Sequence, residues 1–200
     1  MEIIGSITPE VPLLVVAVHQ EAEHLGTDLP ILITGVGKLA ASTSVMRAMA
    51  PLAPEVRPEA LINIGTAGAL RDGLEGVHLV GSVHQHDLDG PAIKALTGAD
   101  PSPDLHLGEG VALATGDRFI SEATERERLA SRAHLVDMEG YAVAQAGAQL
   151  GIAVAMVKCV SDNADTTAAL AWVDVVARCA MELGAWLSTN TVQGAHPRSK

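Results

Sequence analysis

The chain has 200 residues, 48% of them hydrophobic, enough for one domain with a sizeable core that needs neither disulfides nor metals. Thirteen Lys and Arg against 24 Asp and Glu give a net charge of −11, which argues against binding a nucleic-acid backbone and favours a small, weakly charged ligand. Cys159 and Cys179 form no C-x-x-C pair, Met1–Gly5 has no basic segment ahead of an apolar run, and no apolar run nears the roughly 20 residues that span a bilayer, so the expectation is a cytoplasmic protein with reduced thiols and no membrane partner.

In chain order, apolar runs rich in Val, Ile and Leu occur at Leu13–Val18, Ile31–Thr34, Ala60–Ile64, Val77–Val83, Val111–Thr115 and Ala153–Val160, with a shorter one at Ala133–Val136. They read as strands buried on both faces. Helical spacing appears between several of them, at Lys38–Ala50, Ser121–Arg132, Glu139–Leu150 and Thr166–Leu187. The alternation predicts an α/β fold, a three-layer α/β/α sandwich around a mixed, largely parallel sheet. Asp89–Gly110, rich in Pro, Gly and Asp, reads as a surface excursion, and Thr189–Lys200 as a polar tail to a single domain spanning residues 1–188.

Ligands of such sheets bind where strand ends enter the following helices. Five stretches meet that condition: His19-Gln20-Glu21, Gly35-Val36-Gly37, Gly65-Thr66-Ala67-Gly68, Gly116-Asp117-Arg118-Phe119, and Ser161-Asp162. Each carries two readings. Asp162 ends an apolar strand, where a partly desolvated carboxyl suits a general acid, or it caps a helix. Glu139 is either a first-turn carboxylate favoured by the helix dipole or an acceptor for sugar hydroxyls that stabilises positive charge on the ring. Glu21 is a solvated helix start or a base for water. The two glycine turns match neither a dinucleotide fingerprint nor a P-loop. The lone Phe119 of the chain, directly after a strand-end turn, suits stacking on a flat base. His84-Gln85-His86-Asp87-Leu88-Asp89 has residues of metal-ligating type, although alternation lets only His84 and His86 share a face.

Taken together, Ala17–Glu21, Thr34–Ala41, Asn63–Leu70, Gln85–Asp89, Thr115–Ile120, Val136–Gly140 and Val160–Asp162 resemble, in order, the stations of the nucleoside phosphorylase and nucleosidase superfamily. The resemblance is strongest to its 5′-methylthioadenosine/S-adenosylhomocysteine nucleosidases. It implies a nucleoside phosphorylase-like fold and no cofactor. It also implies that Glu139 binds the ribose hydroxyls, Met138 packs under the sugar, Asp162 with Ser161 protonates purine N7, and Glu21 positions the attacking water. Thr66 then lies near the sugar or the water and Phe119 against the base, Ile120 and Gly68 are further expected substrate-binding residues, and a homodimer is the expected assembly.

The family includes phosphorylases as well as hydrolases. Glu21 in the first loop and Asn63 before the third glycine turn stand where phosphorylases carry arginines, and a carboxylate repels phosphate, so water is the expected nucleophile. Shortened segments at Glu23–Leu29 and Asp89–Gly110 leave the 5′ substituent of the nucleoside open. The alternatives are a phosphate-dependent purine nucleoside phosphorylase, a metallohydrolase using His84, His86, Asp87 and Asp89, and a non-catalytic nucleoside-binding module.

Overall fold

Strands without polar alternation need cover on both faces, and the first two long ones show how they obtain it. In the computed structural model, which describes residues 1–165 and 172–190 (172–174 for backbone only), Leu13 and Val15 point into one apolar layer while Leu14 and Val16 point into another. The strands are β1 (Glu2–Ile4), β2 (Leu13–Val16), β3 (Ile31–Ile33), β4 (Ala60–Ala69), β5 (Val77–Gln85), β6 (Leu105–His106), β7 (Val111–Thr115), β8 (Leu135–Asp137) and β9 (Ala153–Asp162). The helices are α1 (His19–Ala22), α2 (Lys38–Met49), α3 (Gly90–Thr97), α4 (Ala123–Ala130), α5 (Gly140–Leu150) and α6 (Trp172–Asn190).

All nine strands form one mixed sheet in the order β1-β3-β2-β4-β8-β7-β5-β6, with β9 between β4 and β5. Pairing is parallel at β2–β3, β2–β4, β4–β9, β5–β7 and β7–β8. Antiparallel β4–β8 and β5–β9 contacts close β4, β8, β7, β5 and β9 into a ring. The ring is possible because β4 is ten residues long: its first half pairs with β2 and its end with β8, across a register shift at Ala67/Gly68 that lets the strand bend.

On one face α2 and α5 bury Ala41, Val45, Met49, Val143 and Ala146 against Leu13, Val15 and Leu61. On the other, α6 buries Cys179, Leu183 and Leu187 against Leu14, Val16, Ile64, Val157 and Cys159. The α/β/α layering follows from these two faces. Both cysteines are free and lie in the α6 layer. Among the described residues no helix is long and apolar enough to cross a membrane.

Several boundaries differ from the sequence reading. The expected turn at Gly65–Gly68 is strand, because its alternate residues pair with β9 and its small side chains fit a bent, crowded ring. The excursion at 89–110 contains α3, capped by Asp89, and β6. Glu139 precedes its helix rather than opening it, α6 continues to Asn190, and β1 was not anticipated. The expected helix start at Thr166 and the tail beyond Asn190 lie outside the described residues.

Candidate active site

Because β2, β4 and β9 run parallel, their carboxyl ends reach the same edge of the sheet. There β2 leads into α1 and Glu21, β4 presents Thr66, and β9 ends on Ser161 and Asp162. β8 pairs antiparallel with the far end of β4, Val136 opposite Gly68, so the residues after it, Met138 and Glu139, return toward Thr66. The loop after β7 supplies Arg118, Phe119 and Ile120. The nine residues singled out from the sequence, Glu21, Thr66, Gly68, Phe119, Ile120, Met138, Glu139, Ser161 and Asp162, all line one cavity of about 400 Å³, together with Ala17, Val18, Val36, Ala67, Arg118, Val136 and Asp137.

Glu21 is buried, and three donors fix its carboxylate: Thr66 N at 2.7 Å and Thr66 Oγ1 at 2.9 Å on Oε1, and Ala17 N at 3.1 Å on Oε2. A Cβ on residue 65 would stand 2.8 Å from Oε1, so Gly65 is what lets the strand approach this carboxylate.

Glu139 is buried as well, and its Oε1 accepts the Gly37 amide at 2.7 Å, leaving Oε2 without a protein hydrogen bond among the described residues. Gly37 adopts φ +95°, a conformation L side chains rarely take, to aim that amide. Burial first and the neighbouring Asp137 second push the Glu139 pKa up to about 7, against the opposing pull of Lys158 and the Gly37 amide.

Asp162 is half-buried at the end of β9. Its Oδ1 accepts Ala164 N at 2.8 Å, and its Oδ2 lies 2.6 Å from Ser161 Oγ, which is also 3.3 Å from Ala67 O. That geometry serves both protonation states. An ionised Asp162 accepts the serine proton, whereas a protonated one donates to Ser161 Oγ while the hydroxyl turns to Ala67 O.

Three features escaped the sequence reading. Lys158, fully buried in the middle of β9, binds Asp137 Oδ2 at 2.8 Å, and Asp137 also accepts Thr115 Oγ1 at 2.6 Å and Gly140 N at 2.9 Å. Burial acts to lower the Lys158 pKa, but Asp137, Glu139 and Glu21 outweigh it and hold the ammonium charged. The signal was present as one lysine inside an apolar strand. The second is the Gly37 amide, a backbone donor that no side-chain pattern reveals. The third is a clamp behind it, in which Lys38 Nζ binds Gln85 and Asp87, and Asp117 accepts Lys38 N at 2.8 Å while its own N donates to Asp87 at 2.8 Å.

That clamp corrects the metal reading of His84–Asp89. Asp87 is taken by Lys38 and Asp117, Asp89 caps α3 through Ala92 N, and no group of three or more His, Cys, Asp or Glu among the described residues converges as a metal site. Asn63 ties β4 to Val15 O at 3.0 Å and does not line the cavity.

Residues 92–189 match the Phosphorylase superfamily. A 5′-methylthioadenosine/S-adenosylhomocysteine nucleosidase of Shewanella oneidensis is 28% identical, over 82% of this chain and 84% of that protein. Among solved structures, a Helicobacter pylori nucleosidase variant with 5′-methylthioadenosine in its active site superposes with a TM-score of 0.79 at 18% identity, over 92% of this chain and 99% of that one. The futalosine hydrolase of the same organism gives 0.79 at 20% identity, over 92% and 98%. At that identity the structural likeness speaks for the fold.

Proposed function

We propose that this chain, whose residues 92–189 match the Phosphorylase superfamily, is a purine nucleosidase hydrolysing the N-glycosidic bond of an adenine-type nucleoside, of the methylthioadenosine or adenosylhomocysteine kind, to free base and sugar. The observation that carries the reading is the convergence of Glu21, Glu139 and Asp162 on one cavity whose apolar walls include Phe119, Ile120 and Met138. Two of these carboxylates are buried and held by donors, a cost that an inert pocket does not incur.

In the proposed reaction the bond between the anomeric carbon and the base breaks with its electron pair going to the base. Protonated Asp162, supported by Ser161, gives its proton to N7 so that the purine leaves neutral. Ionised Glu139 accepts the two ribose hydroxyls through its open oxygen and stabilises positive charge on the sugar. A water beside Glu21 and Thr66 adds to the anomeric carbon and passes its proton to Glu21. No metal or organic cofactor takes part.

Water rather than phosphate is the nucleophile on electrostatic grounds. Among the described residues the one cationic side chain at the cavity, apart from Lys158 buried against Asp137, is Arg118 at the rim, while Glu21 occupies the approach to the sugar. Phosphate there would face carboxylates. Liquid chromatography of reactions with methylthioadenosine, adenosylhomocysteine, adenosine, inosine and futalosine tests this. Free base is expected at equal rates with and without phosphate; strict phosphate dependence with a sugar 1-phosphate product means a phosphorylase, and tight binding without turnover means a binding module. The assembly we propose is a cytoplasmic homodimer, supported by the exposed apolar residues Val36 and Phe119 at the cavity and Leu39 nearby in the chain, and by the free, buried thiols.

A further inference from the structure

A second cavity, of about 470 Å³, lies between the end of β5 and α4, and Arg118 lines both cavities. What it would bind follows from which of its polar groups are already engaged. Each of its carboxylates already has a partner: Asp87 has Lys38 and the Asp117 amide, Asp89 has the Ala92 amide in the first turn of α3 through Oδ1, and Glu125 has two donors of Arg128. Some of its donors have none. Arg118 makes no hydrogen bond or ion pair among the described residues, and Arg132 uses only Nη2, on Asp104, leaving Nε and Nη1. His84 is only 7% exposed, lines the cavity, and has no hydrogen-bond partner among the described residues. A neutral His84 imidazole still offers one N–H to a ligand, and the neighbouring His86, which also lines the cavity, has a buried Nε2 with no partner among the described residues, a state that is costly unless a ligand or solvent completes it.

We propose that this second cavity binds a small organic anion, a phosphorylated or carboxylated metabolite, whose oxygens take up the open donors of Arg118, Arg132 and His84. Guanidinium groups suit such oxygens because their paired N–H groups bind two at once. The cavity is larger than a bare oxyanion needs, and Leu88, Pro91 and Leu129 give it apolar wall for a carbon skeleton. Arg118 directly precedes Phe119 at the mouth of the first cavity, so an anion that draws Arg118 over changes the rim through which the nucleoside enters. The binding half of this inference is independent of the nucleosidase reading.

Calorimetry on the full chain with ribose 5-phosphate, citrate and inorganic phosphate, and with ribose as the uncharged control, tests it. Saturable binding of an organic anion but not ribose is expected, with the His84 imidazole resonances shifting in step. Arg132→Gln and His84→Gln are each expected to weaken that binding roughly 10- to 100-fold, the range for one charge-assisted hydrogen bond. Arg132→Gln should keep base release in the absence of anion at the wild-type rate. No binding, equal binding of ribose, binding untouched by both variants, or competition with nucleoside that survives Arg132→Gln overturns the proposal; the last result would put the anion in the first cavity.

Discussion

Glu139 holds its proton more tightly in the folded chain than in the unfolded one, because burial first and the charge of Asp137 second raise its pKa to about 7 from the ordinary 4.5. For a carboxylate, a raised folded-state value means that the folded chain holds a proton the unfolded chain has already lost. The contribution of this group to stability is therefore complete below pH 4.5 and declines as pH rises through about 7. Two outcomes are expected. If ionised Glu139 binds the sugar, its ionisation near pH 7 contributes one limb of the kcat/KM profile of the free enzyme, and that limb is absent from Glu139→Gln. Glu139→Gln keeps an oxygen for the Gly37 amide but removes the charge, so at pH 8 it should melt higher, by about 1–3 kcal/mol, while turnover falls roughly 10²- to 10⁴-fold. The stability gain should vanish near pH 4. A variant that melts lower at pH 8 would mean that the charge is not opposed by its surroundings. Glu21, Phe119, Ile120, Met138, Glu139, Ser161 and Asp162 were legible in the sequence because each ends or closely follows a strand, whereas Thr66 and Gly68 stand inside β4, where a turn was expected. Lys158, the Gly37 amide and the Lys38 clamp were not legible, because they act through partners up to 102 residues away or through backbone atoms.

Elements carry these residues only as well as they pack. α1 is four residues long and could not hold Glu21 in place alone, and it leans on α6. The contact depends on Gly184: a Cβ there would lie 2.6 Å from His24 O and 2.9 Å from Leu25 O, both backbone atoms that cannot turn aside. Gly184→Ala is expected to cost about 1–3 kcal/mol despite the better helix propensity of alanine, lowering the melting temperature by roughly 3–10 °C. It should also lower kcat/KM by shifting α1, whereas Met181→Ala on the exposed side of α6 should be near neutral. A stabilised Gly184→Ala would show that α6 is free to move away. The same reasoning explains which elements could be read beforehand. β2, β3, β7 and the helices α2, α5 and α6 carry period and length that decide them. β4 was cut short at Gly65 because glycine pairs usually mark turns, and only the partner strands β8 and β9 reveal why small residues continue a strand. α3 was hidden because its capping Asp89, Gly90 and Pro91 also spell a loop, and they become a helix start only once Ala92 N binds Asp89.

A molecule of net charge −11 repels its own copies, so association needs apolar surface large enough to offset that repulsion. The exposed face of α2 offers it: Leu39 and Met46 stand seven residues apart on one ridge that continues through Val36 to the mouth of the first cavity, where Phe119 is also exposed. If this ridge is the homodimer interface, the second copy walls the open side of the nucleoside cavity, and assembly and substrate affinity rise and fall together. Leu39→Asp separates the two states cleanly. Position 39 is in the first turn of α2, where an acidic residue suits the helix dipole, and its side chain is exposed, so the monomer should keep its fold. Sedimentation is expected to show the wild type as a dimer that tightens with added salt, which screens the like charges, and Leu39→Asp as a monomer with an unchanged far-UV spectrum. KM of the variant should rise while wild-type KM rises only on dilution below the dimer dissociation constant. A Leu39→Asp protein that remains dimeric, or a wild type monomeric at every concentration and salt, would remove this ridge as the interface and leave the cavity bounded by a single chain.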